Sequence, residues 1–527
     1  MSSGKRIAIV GGGPTAVYTV KNLLQKAQNL KITIFEAGRV AGCGLPYSEE
    51  HNTADMMANI TSIEIPPVLM SLADWVRSAD DRMLNRFGID RDKVQDRDFY
   101  PRVLIGAYYS DQLERLIQGC APGQSVEIRT QTRVLDIAPR GAGFTLFIEH
   151  GKTRTRRQFD TIIMATGHRT DFHKPEPLPG LFRSPYPVQD LSVGADNAAL
   201  ILGSSLSAID AAVALAVRHG DFIGDENAMS YKPASKRKLR IVMASRKGTV
   251  PDSDFFYPIP EEPLMIFTPA RLEKFRQDGQ KGLLAKAFRL FKQQMVSDDP
   301  GFVESLGLQR FTPEGFSRAY FAMRKTHQGF EAIAQNLADS KRDYRERRVI
   351  MWRYTMMRAH EVFSELVPFL EHSDLVRFRR YLAPVFADAY GCVPHLSVQR
   401  LLALHKAGCL DIVALGEDGT IRYGARTFTL AAGEREETFG TLIDARGQSA
   451  ASISELGFNQ LDRVLASSDP LKRRNGESED DQFRLRIEGR SAADIFCISI
   501  PVMMERYPFA QGLVACSEAA AVVAASI

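Results

Sequence analysis

Apolar runs of strand length alternate with a helix-periodic segment at the start of the chain. Residues 5–10, KRIAIV, form one such run, and residues 31–37, KITIFEA, form another. Between them, residues 16–27, AVYTVKNLLQKA, carry apolar side chains at helical spacing. Buried strands joined by an amphipathic helix predict a parallel sheet with a crossover connection. The chain is therefore expected to begin with a β–α–β unit.

The turn between the first strand and the helix is the first candidate nucleotide site. Gly11 permits a tight turn, Gly13 lets the backbone approach a pyrophosphate, and Ala16 replaces the third glycine of a GxGxxG fingerprint. The helix N-terminus would stabilise the phosphates, and Glu36 ends the second strand, where a carboxylate would bind the ribose hydroxyls. An ordinary glycine turn in an α/β fold is the alternative. The cofactor contacts predicted here are Gly11, Gly13, Pro14, Thr15, Ala16 and Glu36.

A second unit of the same pattern begins near residue 197 with the strand NAALILG. Ser205 replaces the second glycine, but serine is small and can donate a hydrogen bond to phosphate. The next strand, LRIVMA, is followed by Ser245, Arg246 and Lys247, where an NAD site would carry an acid. Arginine there suits the 2′-phosphate of NADP, although a solvated strand end is the simpler alternative. The predicted NADPH contacts are Gly203, Ser205, Leu206, Ser207, Arg246 and Lys247.

Residues 256–390 show a different pattern, with long segments of helical periodicity such as LLAKAFRLFKQQM and RVIMWRYTMMRAHEVFSELVPFL. Methionine and aromatic residues recur at helical spacing, which predicts a helical core. A helical cap that shapes a substrate pocket is the functional alternative. Both interpretations stay open, because a cap needs a core of its own.

Composition limits the remaining possibilities. The chain has 527 residues, which suggests two or three domains, and its 44% hydrophobic and 25% charged residues are typical of globular proteins. A formal net charge of +4 gives no general affinity for nucleic acid or membranes. The six cysteines have no CxxC or metal-ligand spacing, and no segment has the pattern of a signal peptide or a membrane span. We therefore expect a cytoplasmic protein with reduced thiols and no metal.

The motifs together resemble a known group. The chain is similar to bacterial FAD–NAD(P)-binding flavoproteins that are related to the flavin-dependent N-hydroxylating monooxygenases of amino acids and diamines. The pieces that carry the resemblance, in chain order, are GGGPTA, GLPYS, MMANITSIEIPP, FYPRVLIGAYYSDQL, ATGH, GSSLSAIDAA, SRKGTVPDSDFF, LIDARG and YPFAQGL. Two departures stand out: ADIFCISIP replaces the usual Gly-Asp near the end of a flavin domain, and residues 256–390 are an insertion.

The resemblance implies an α/β fold with two Rossmann-like dinucleotide-binding domains, for FAD and NADPH, and a helical insertion. Residues 1–170 plus 449–527 would form the FAD domain, and residues 171–255 plus 391–448 the NADPH domain. Residues 256–390 would be the helical insertion or substrate cap. ATG and LIDARG would be the two crossovers between these domains.

The resemblance also implies flavin contacts beyond the glycine turn: Tyr47, Met57, Asn59, Arg102, Ala165, Thr166, Gly167, Pro508, Phe509, Gln511, Gly512 and Leu513. Met56 and Tyr108 fall in the same matched segments. Asn59, His51 and Asn52 are the candidate catalytic residues, expected to orient the amine or the peroxide. Further candidates are His168 near the nicotinamide, Asp252 and Ser253 near the substrate entrance, and Arg324, Arg353 or Arg358 for a substrate carboxylate.

The activity implied is that of an FAD- and NADPH-dependent oxidoreductase. NADPH would reduce the flavin, O2 would form a C4a-hydroperoxyflavin, and a primary amine of an amino acid or derived small molecule would become a hydroxylamine. The partners would be this small amine and O2, with no nucleic acid and no membrane. The oligomeric state is left open, a homo-oligomer included.

Cys43 in AGCGLPYS supports a competing hypothesis. Single-cysteine disulfide reductases carry a similar stretch, in which reduced flavin passes electrons to a mixed disulfide. An NAD(P)H-dependent disulfide or persulfide reductase is thus one alternative function, and a non-enzymatic flavoprotein redox sensor is another. Because MMANITSIEIPP matches the N-hydroxylase pattern and the insertion has no role in a small-disulfide reductase, Cys43 is interpreted as a small residue in a flavin-binding loop.

Overall fold

The computed structural model describes residues 4–26, 29–167, 178–194, 196–225, 228–279, 281–308, 310–326, 328–447, 450–465, 483–487, 494–510 and 512–527. The chain divides into two compact units. Unit 1 contains Met1–Asp171, Gln448–Arg506 and Ala510–Ile527. Unit 2 contains Phe172–Gly447 and Tyr507–Phe509.

The strands are numbered in chain order. They are β1 Lys5–Val10, β2 Leu30–Phe35, β3 Met57–Thr61, β4 Phe99–Pro101, β5 Ser125–Arg129, β6 Thr132–Arg140, β7 Gly143–His150, β8 Thr153–Phe159, β9 Thr161–Met164, β10 Leu181–Phe182, β11 Ala198–Leu202, β12 Gly220–Ile223, β13 Ser230–Pro233, β14 Arg240–Ser245, β15 Leu410–Ala414, β16 Thr420–Tyr423, β17 Phe428–Ala432, β18 Arg435–Phe439, β19 Thr441–Asp444 and β20 Asp494–Cys497.

The helices are numbered in the same way. They are α1 Pro14–Leu24, α2 Gly44–Tyr47, α3 Leu72–Ser78, α4 Asp81–Phe87, α5 Arg102–Gln118, α6 Leu206–His219, α7 Pro269–Gln277, α8 Leu283–Asp298, α9 Pro300–Ser305, α10 Pro313–Lys325, α11 Phe330–Glu346, α12 Met351–Leu366, α13 His372–Arg377, α14 Ala383–Tyr390, α15 His395–Lys406, α16 Asn459–Asp462, α17 Ile500–Arg506 and α18 Leu513–Ala525.

Unit 1 is built on a parallel sheet with strand order β20-β9-β1-β2-β5. Its central strand β1 is apolar because both faces of a parallel sheet are covered. The antiparallel sheet β6-β7-β8 contributes Phe144 and Leu146 to a core shared with Ile162 of β9. Helix α1 follows a glycine turn, and α5 begins directly after Pro101, the last residue of β4.

Unit 2 repeats the arrangement with the parallel sheet β10-β19-β11-β14-β15. Helix α6 connects β11 to the hairpin β12-β13, and β16-β17-β18 form a separate antiparallel sheet. Two parallel sheets, each entered by a strand–glycine turn–helix unit, confirm the predicted α/β fold with two Rossmann-like domains.

The helices α7 to α14 lie within the segment in which helical periodicity was predicted. They enclose an aromatic core in which Phe291 contacts Phe267, Phe316, Phe363 and Phe386, with ring centroids 5.7–6.0 Å apart. Phe509 packs against this core although it lies far away in the sequence, and its ring centroid is 6.1 Å from that of Phe386. In the part of the chain that the structure describes, none of the helices combines the length and apolar character needed to cross a bilayer.

Candidate functional site

The turn after β1 is packed against the end of β9. Gly11 adopts φ +104°, and a Cβ atom on it would lie 2.4 Å from the carbonyl oxygen of Ala165. Both the backbone conformation and the contact therefore require glycine at this position. The amide of Ala165 in turn donates to the carbonyl of Val10, at 2.9 Å. The glycine turn and the first crossover are thus one packed element.

The carboxylate of Glu36 is fixed above this turn. It accepts hydrogen bonds from the amides of Gly12, at 2.8 Å, and Gly38, at 2.6 Å. Burial raises the pKa of Glu36, and these two amides oppose that rise. Helix α1 begins after Gly13 without a side-chain cap and without an acidic residue in its first turn. An anion-accepting helix end next to a fixed carboxylate fits the pyrophosphate and ribose of a dinucleotide.

Unit 2 contains a turn with the same construction. Gly203 adopts φ +118°, and a Cβ atom on it would lie 2.7 Å from the carbonyl oxygen of Ala445, which follows β19. Helix α6 begins after Ser205 without a side-chain cap, and Ser205 is exposed. The residues Leu206 and Ser207 form its first turn. The second turn therefore also fits a phosphate, with serine in place of glycine.

The loop after β14 carries the predicted basic pair. Arg246 is exposed, whereas Lys247 is half-buried, with its Nζ 2.8 Å from the ring centroid of Phe321 on α10. Burial lowers the pKa of Lys247 to about 8. One residue of the pair thus extends into solvent, and the other is held by an aromatic ring.

The segment AGCGLPYS lies against the first glycine turn. A Cβ atom on Gly44, the first residue of α2, would lie 3.0 Å from the Cα of Gly13. Tyr47, the last residue of α2, presents its carbonyl oxygen to Gly106 of α5, where a Cβ atom would lie only 2.2 Å away. Burial raises the pKa of Tyr47 to about 12, so its phenol stays protonated. These close backbone contacts account for the glycines on both sides.

Two of the predicted catalytic residues brace the loop after α2. The side-chain amide of Asn52 donates to the carbonyls of Leu45 and Ser48, both at 3.2 Å. The Nδ1 of His51 lies 2.8 Å from the Oγ of Ser48. Asn52 is buried and His51 is half-buried. Each thus has a local structural role, and the catalytic role predicted for them remains a prediction.

The predicted flavin contacts on β3 differ in burial. Asn59 is exposed and Met57 half-buried, whereas Met56 is fully buried. Arg102 begins α5, and its Nε donates to the carbonyl of Met57 at 3.4 Å. Tyr108 is buried, and its hydroxyl donates to the carbonyl of Met70. The structure therefore brings Met57 and Arg102 together and gives Tyr108 a structural role.

The other predicted contacts lie at two chain crossings. Ala165 is buried, Gly167 follows Thr166, and the hydroxyl of Thr166 donates to the Oγ of Ser499 at 2.9 Å, in the segment that replaces Gly-Asp. Pro508 is half-buried, and Gly512 precedes α18, whose first residue, Leu513, is buried. Gln511 and His168 lie outside the described residues.

Cys43 is buried and its thiol donates to the carbonyl of Val40 at 3.5 Å. Burial raises its pKa to about 12, and the nearby carboxylates of Glu36 and Glu50 add to the rise. A thiolate at this position is thus disfavoured, because a reactive cysteine needs an electropositive environment.

The three arginines considered for a substrate carboxylate are buried and bound within the protein. Arg324 pairs with Asp252 at 2.8 Å, and Arg353 donates to the carbonyl of Ala389 at 2.9 Å. Arg358 donates to the carbonyl of Glu262 at 2.9 Å. Binding a substrate carboxylate would require breaking these internal contacts.

Several residues around the second turn were not predicted from the sequence. The buried Ser204 contacts Ser245, Phe321 underlies Lys247, and the Nε2 of Gln328 donates to the carbonyl of Lys247. Only Ser204, inside GSSLSAIDAA, carried a sequence signal. Across the described ranges, no group of three or more His, Cys, Asp or Glu side chains is placed to hold a metal ion.

Comparisons with known families agree with this geometry. A family model described as FAD-NAD(P)-binding matches residues 8–169, which contain the first glycine turn and the first crossover. A second model, described as YdhS-like middle domain, matches residues 268–390, the helical segment of unit 2.

Solved structures share the fold at low identity. Ornithine hydroxylase PvdA from Pseudomonas aeruginosa, in its reduced form, superposes with a TM-score of 0.54 and 12% identity, over 99% of this chain and 98% of that chain. The ornithine N-hydroxylase KtzI from Kutzneria sp. 744 gives 0.52 and 12% over the same shares. The cadaverine monooxygenase DfoA from Erwinia amylovora gives 0.50 and 12%, over 99% and 94%. These similarities concern the fold.

One relative is similar in sequence along the whole chain. The uncharacterized protein YdhS of Escherichia coli (strain K12) is 36% identical over 524 residues, which cover 98% of this chain and 96% of that protein. With both family models matched in order along the chain, the protein belongs to the YdhS family of FAD–NAD(P)-binding flavoproteins.

Proposed function

We propose that this protein is a flavin-dependent monooxygenase that uses NADPH and O2 to N-hydroxylate a primary amine of a small molecule. The observation that carries the proposal is the repeated turn. Gly11 meets the carbonyl of Ala165, and Gly203 meets the carbonyl of Ala445, in the same relation to the parallel sheet. Two such turns suit one bound flavin and one exchangeable nicotinamide.

The assignment of each nucleotide rests on the residue that follows the second strand of each unit. Glu36 suits the ribose of FAD in unit 1, whereas Arg246 and Lys247 suit the 2′-phosphate of NADPH in unit 2. FAD, when bound, supplies hydride acceptance and the activation of O2. The protein's residues bind the phosphates and hold the loop AGCGLPYS against Gly13.

The amine specificity is proposed by analogy of fold with the ornithine and cadaverine hydroxylases. The competing function, disulfide reduction, needs a reactive thiol at Cys43. A buried thiol beside Glu36 and Glu50 is a poor redox nucleophile, which favours the monooxygenase. The arginines Arg324, Arg353 and Arg358 are already bound internally. An amine without a carboxylate is therefore as reasonable a substrate as an amino acid.

The test is product analysis with matched amines. Purified protein with FAD would be incubated aerobically with NADPH and either ornithine, cadaverine, or their analogues in which both amino groups are dimethylated, so that no primary amine remains. The proposal predicts a hydroxylamine, detected by mass spectrometry as a gain of one oxygen, only from the primary amines. The ratio of ornithine to cadaverine turnover reports whether a carboxylate contributes to binding.

The result against the proposal is equally specific. NADPH oxidation that yields only hydrogen peroxide with every primary amine, together with disulfide reduction that is lost in Cys43→Ser, would establish a thiol reductase instead. Flavin that NADPH reduces, with no amine or disulfide accepted, would favour a redox sensor.

A further inference from the structure

The loop that follows β14 is anchored by side chains of the helical insertion as well as by the sheet that contains β14. Side chains of α10, α11 and the loop between them contact its backbone at several points. These contacts are Gln328 Nε2 to Lys247 O at 2.9 Å, Arg324 Nη2 to Val250 O at 3.3 Å, and Ser253 N to Asn336 Oδ1 at 2.8 Å. The insertion therefore sets the path of the loop that carries Arg246 and Lys247.

A buried ion network fixes the same loop further along. Arg324 of α10 lies 2.8 Å from Asp252 and 2.7 Å from Asp388 of α14, and Arg353 of α12 lies 3.4 Å from Asp252. The side chains of Arg324 and Arg353 are 9% and 3% exposed. Because a buried pair leaves an uncompensated charge when it opens, this attachment is rigid.

Lys247 is the point at which the insertion touches the basic pair directly. Its ammonium lies over the ring of Phe321 on α10, where the ring quadrupole attracts the cation. A free lysine side chain loses rotamer entropy when it binds a ligand. Holding the ammonium in advance reduces that loss.

We infer that the helical insertion is a specificity element for the pyridine nucleotide, in which Phe321 is the positioning residue that holds Lys247 for the 2′-phosphate of NADPH. This inference rests on the proposed function, since it needs NADPH at the second glycine turn. It gives the middle domain a role in cofactor choice, which is separate from any role as a substrate cap.

The charges around Lys247 give the inference a pH dependence. Burial lowers the pKa of Lys247 to about 8; Asp388 of α14 opposes this, and Arg246 beside it and Arg324 and Lys325 of α10 add to it. Lys247 is mostly protonated and positively charged below about pH 8 and mostly neutral above it. Preference for a 2′-phosphate should therefore fall above about pH 8, and Lys247→Arg should abolish that fall because arginine does not titrate there.

Binding of fragments tests the inference without turnover. Calorimetry would measure the affinity of the whole protein for 2′,5′-ADP and for 5′-AMP, which differ only in the 2′-phosphate. We expect wild type to prefer 2′,5′-ADP, Lys247→Met to lower that preference roughly 10-fold or more, and Phe321→Leu to lower it roughly 2- to 10-fold.

A double-mutant cycle separates positioning from a general effect on folding. Since Phe321 acts through Lys247, Phe321→Leu should have no effect on the preference in the Lys247→Met background. Phe369→Leu is the matched control, because Phe369 also stacks on a cation, Arg276 at 4.3 Å, in another part of the insertion. If Phe321→Leu does not fold, the exposed Gln328→Ala should give a smaller loss of preference.

The outcomes distinguish the two proposals. Equal affinity of wild type for both fragments would overturn the NADPH assignment and this inference with it. A wild-type preference that survives in Phe321→Leu and in Gln328→Ala would overturn the inference alone. Loss of preference in Phe321→Leu that is just as large in the Lys247→Met background would also overturn it.

Discussion

The hydroxyl oxygens of Ser204 and Ser245 lie 2.8 Å apart and join the second glycine turn to the loop that carries the basic pair. The amide of Gly248 donates to Ser245, and the carbonyl of Thr249 accepts from Ser204. Because a carbonyl only accepts and each hydroxyl has one proton, the chain runs from Gly248 through Ser245 and Ser204 to Thr249. One small side chain thus connects the two halves of the proposed NADPH site.

Replacing Ser204 by alanine should weaken both the fold and the site. The substitution leaves the partly buried carbonyl of Thr249 without this donor, which costs about 1–3 kcal/mol of the free energy of unfolding. Chemical denaturation would measure that loss, and calorimetry would detect weaker binding of NADP⁺. Ser235→Ala is the control, since the hydroxyl of Ser235 donates to the carbonyl of Arg237 on an exposed loop. Equal stability of the two variants would contradict the prediction.

Gly11→Ala should abolish flavin binding. The methyl group would lie 2.4 Å from the carbonyl oxygen of Ala165, and φ +104° alone costs a residue with a Cβ atom about 1–3 kcal/mol. The measurement is flavin absorbance per polypeptide after purification. Gly301→Ala, where a Cβ atom would be 3.7 Å from Asp299, should keep normal flavin content. A fully yellow Gly11→Ala protein would show that this turn does not bind the flavin.

Asp252→Asn should destabilise unit 2 strongly. The change removes the carboxylate between Arg324 and Arg353, and a buried charge that loses its partner costs about 3–5 kcal/mol. A large drop in the denaturation midpoint is expected. Asp74→Asn, which breaks an exposed pair with Arg77, should change the free energy of unfolding by about 1 kcal/mol or less. Similar effects of the two variants would exclude a structural role for the buried network.

The parts that could be predicted from the sequence are those determined by neighbouring residues. Gly11 and Gly203 were identified because a strand, a glycine turn and a helix are consecutive in the chain. The contacts of Phe321 with Lys247 and of Phe509 with Phe386 join segments far apart in sequence, which local periodicity does not reveal. Met56 is buried and Met57 is half-buried, a difference that the sequence pattern does not predict for two adjacent methionines.

His360 should make the protein sensitive to mild acid. The imidazole is half-buried, stacked on Tyr390 with ring centroids 4.3 Å apart, and 5.3 Å from the ring of Phe509. Burial lowers its pKa from 6.5 to about 4. As the pH is lowered, the unfolded chain therefore binds a proton at this histidine before the folded protein does. The contribution of His360 to the free energy of unfolding is fully present above pH 6.5, and the free energy of unfolding falls by up to about 1.4 kcal/mol per pH unit toward pH 4.

Urea denaturation between pH 7 and pH 4.5 would measure that slope. His360→Phe keeps an aromatic ring in the stack and should flatten the slope. The exposed His372→Gln should leave it unchanged. A slope that persists in His360→Phe would assign the acid sensitivity to other groups.

Cys43 should behave as an inert thiol. With a pKa of about 12, roughly one thiol in ten thousand is ionised at pH 8, and only the thiolate reacts with alkylating agents. Iodoacetamide should therefore label the half-buried Cys120 faster than Cys43 in the folded protein, and mass spectrometry of the digested peptides would measure both rates. Cys43→Ser should retain NADPH-dependent turnover within about twofold, which corresponds to less than 0.5 kcal/mol. Rapid labelling of Cys43 together with loss of turnover in Cys43→Ser would contradict this prediction. The bound flavin would then have to stabilise the thiolate enough to offset the rise in pKa that burial and the carboxylates of Glu36 and Glu50 cause.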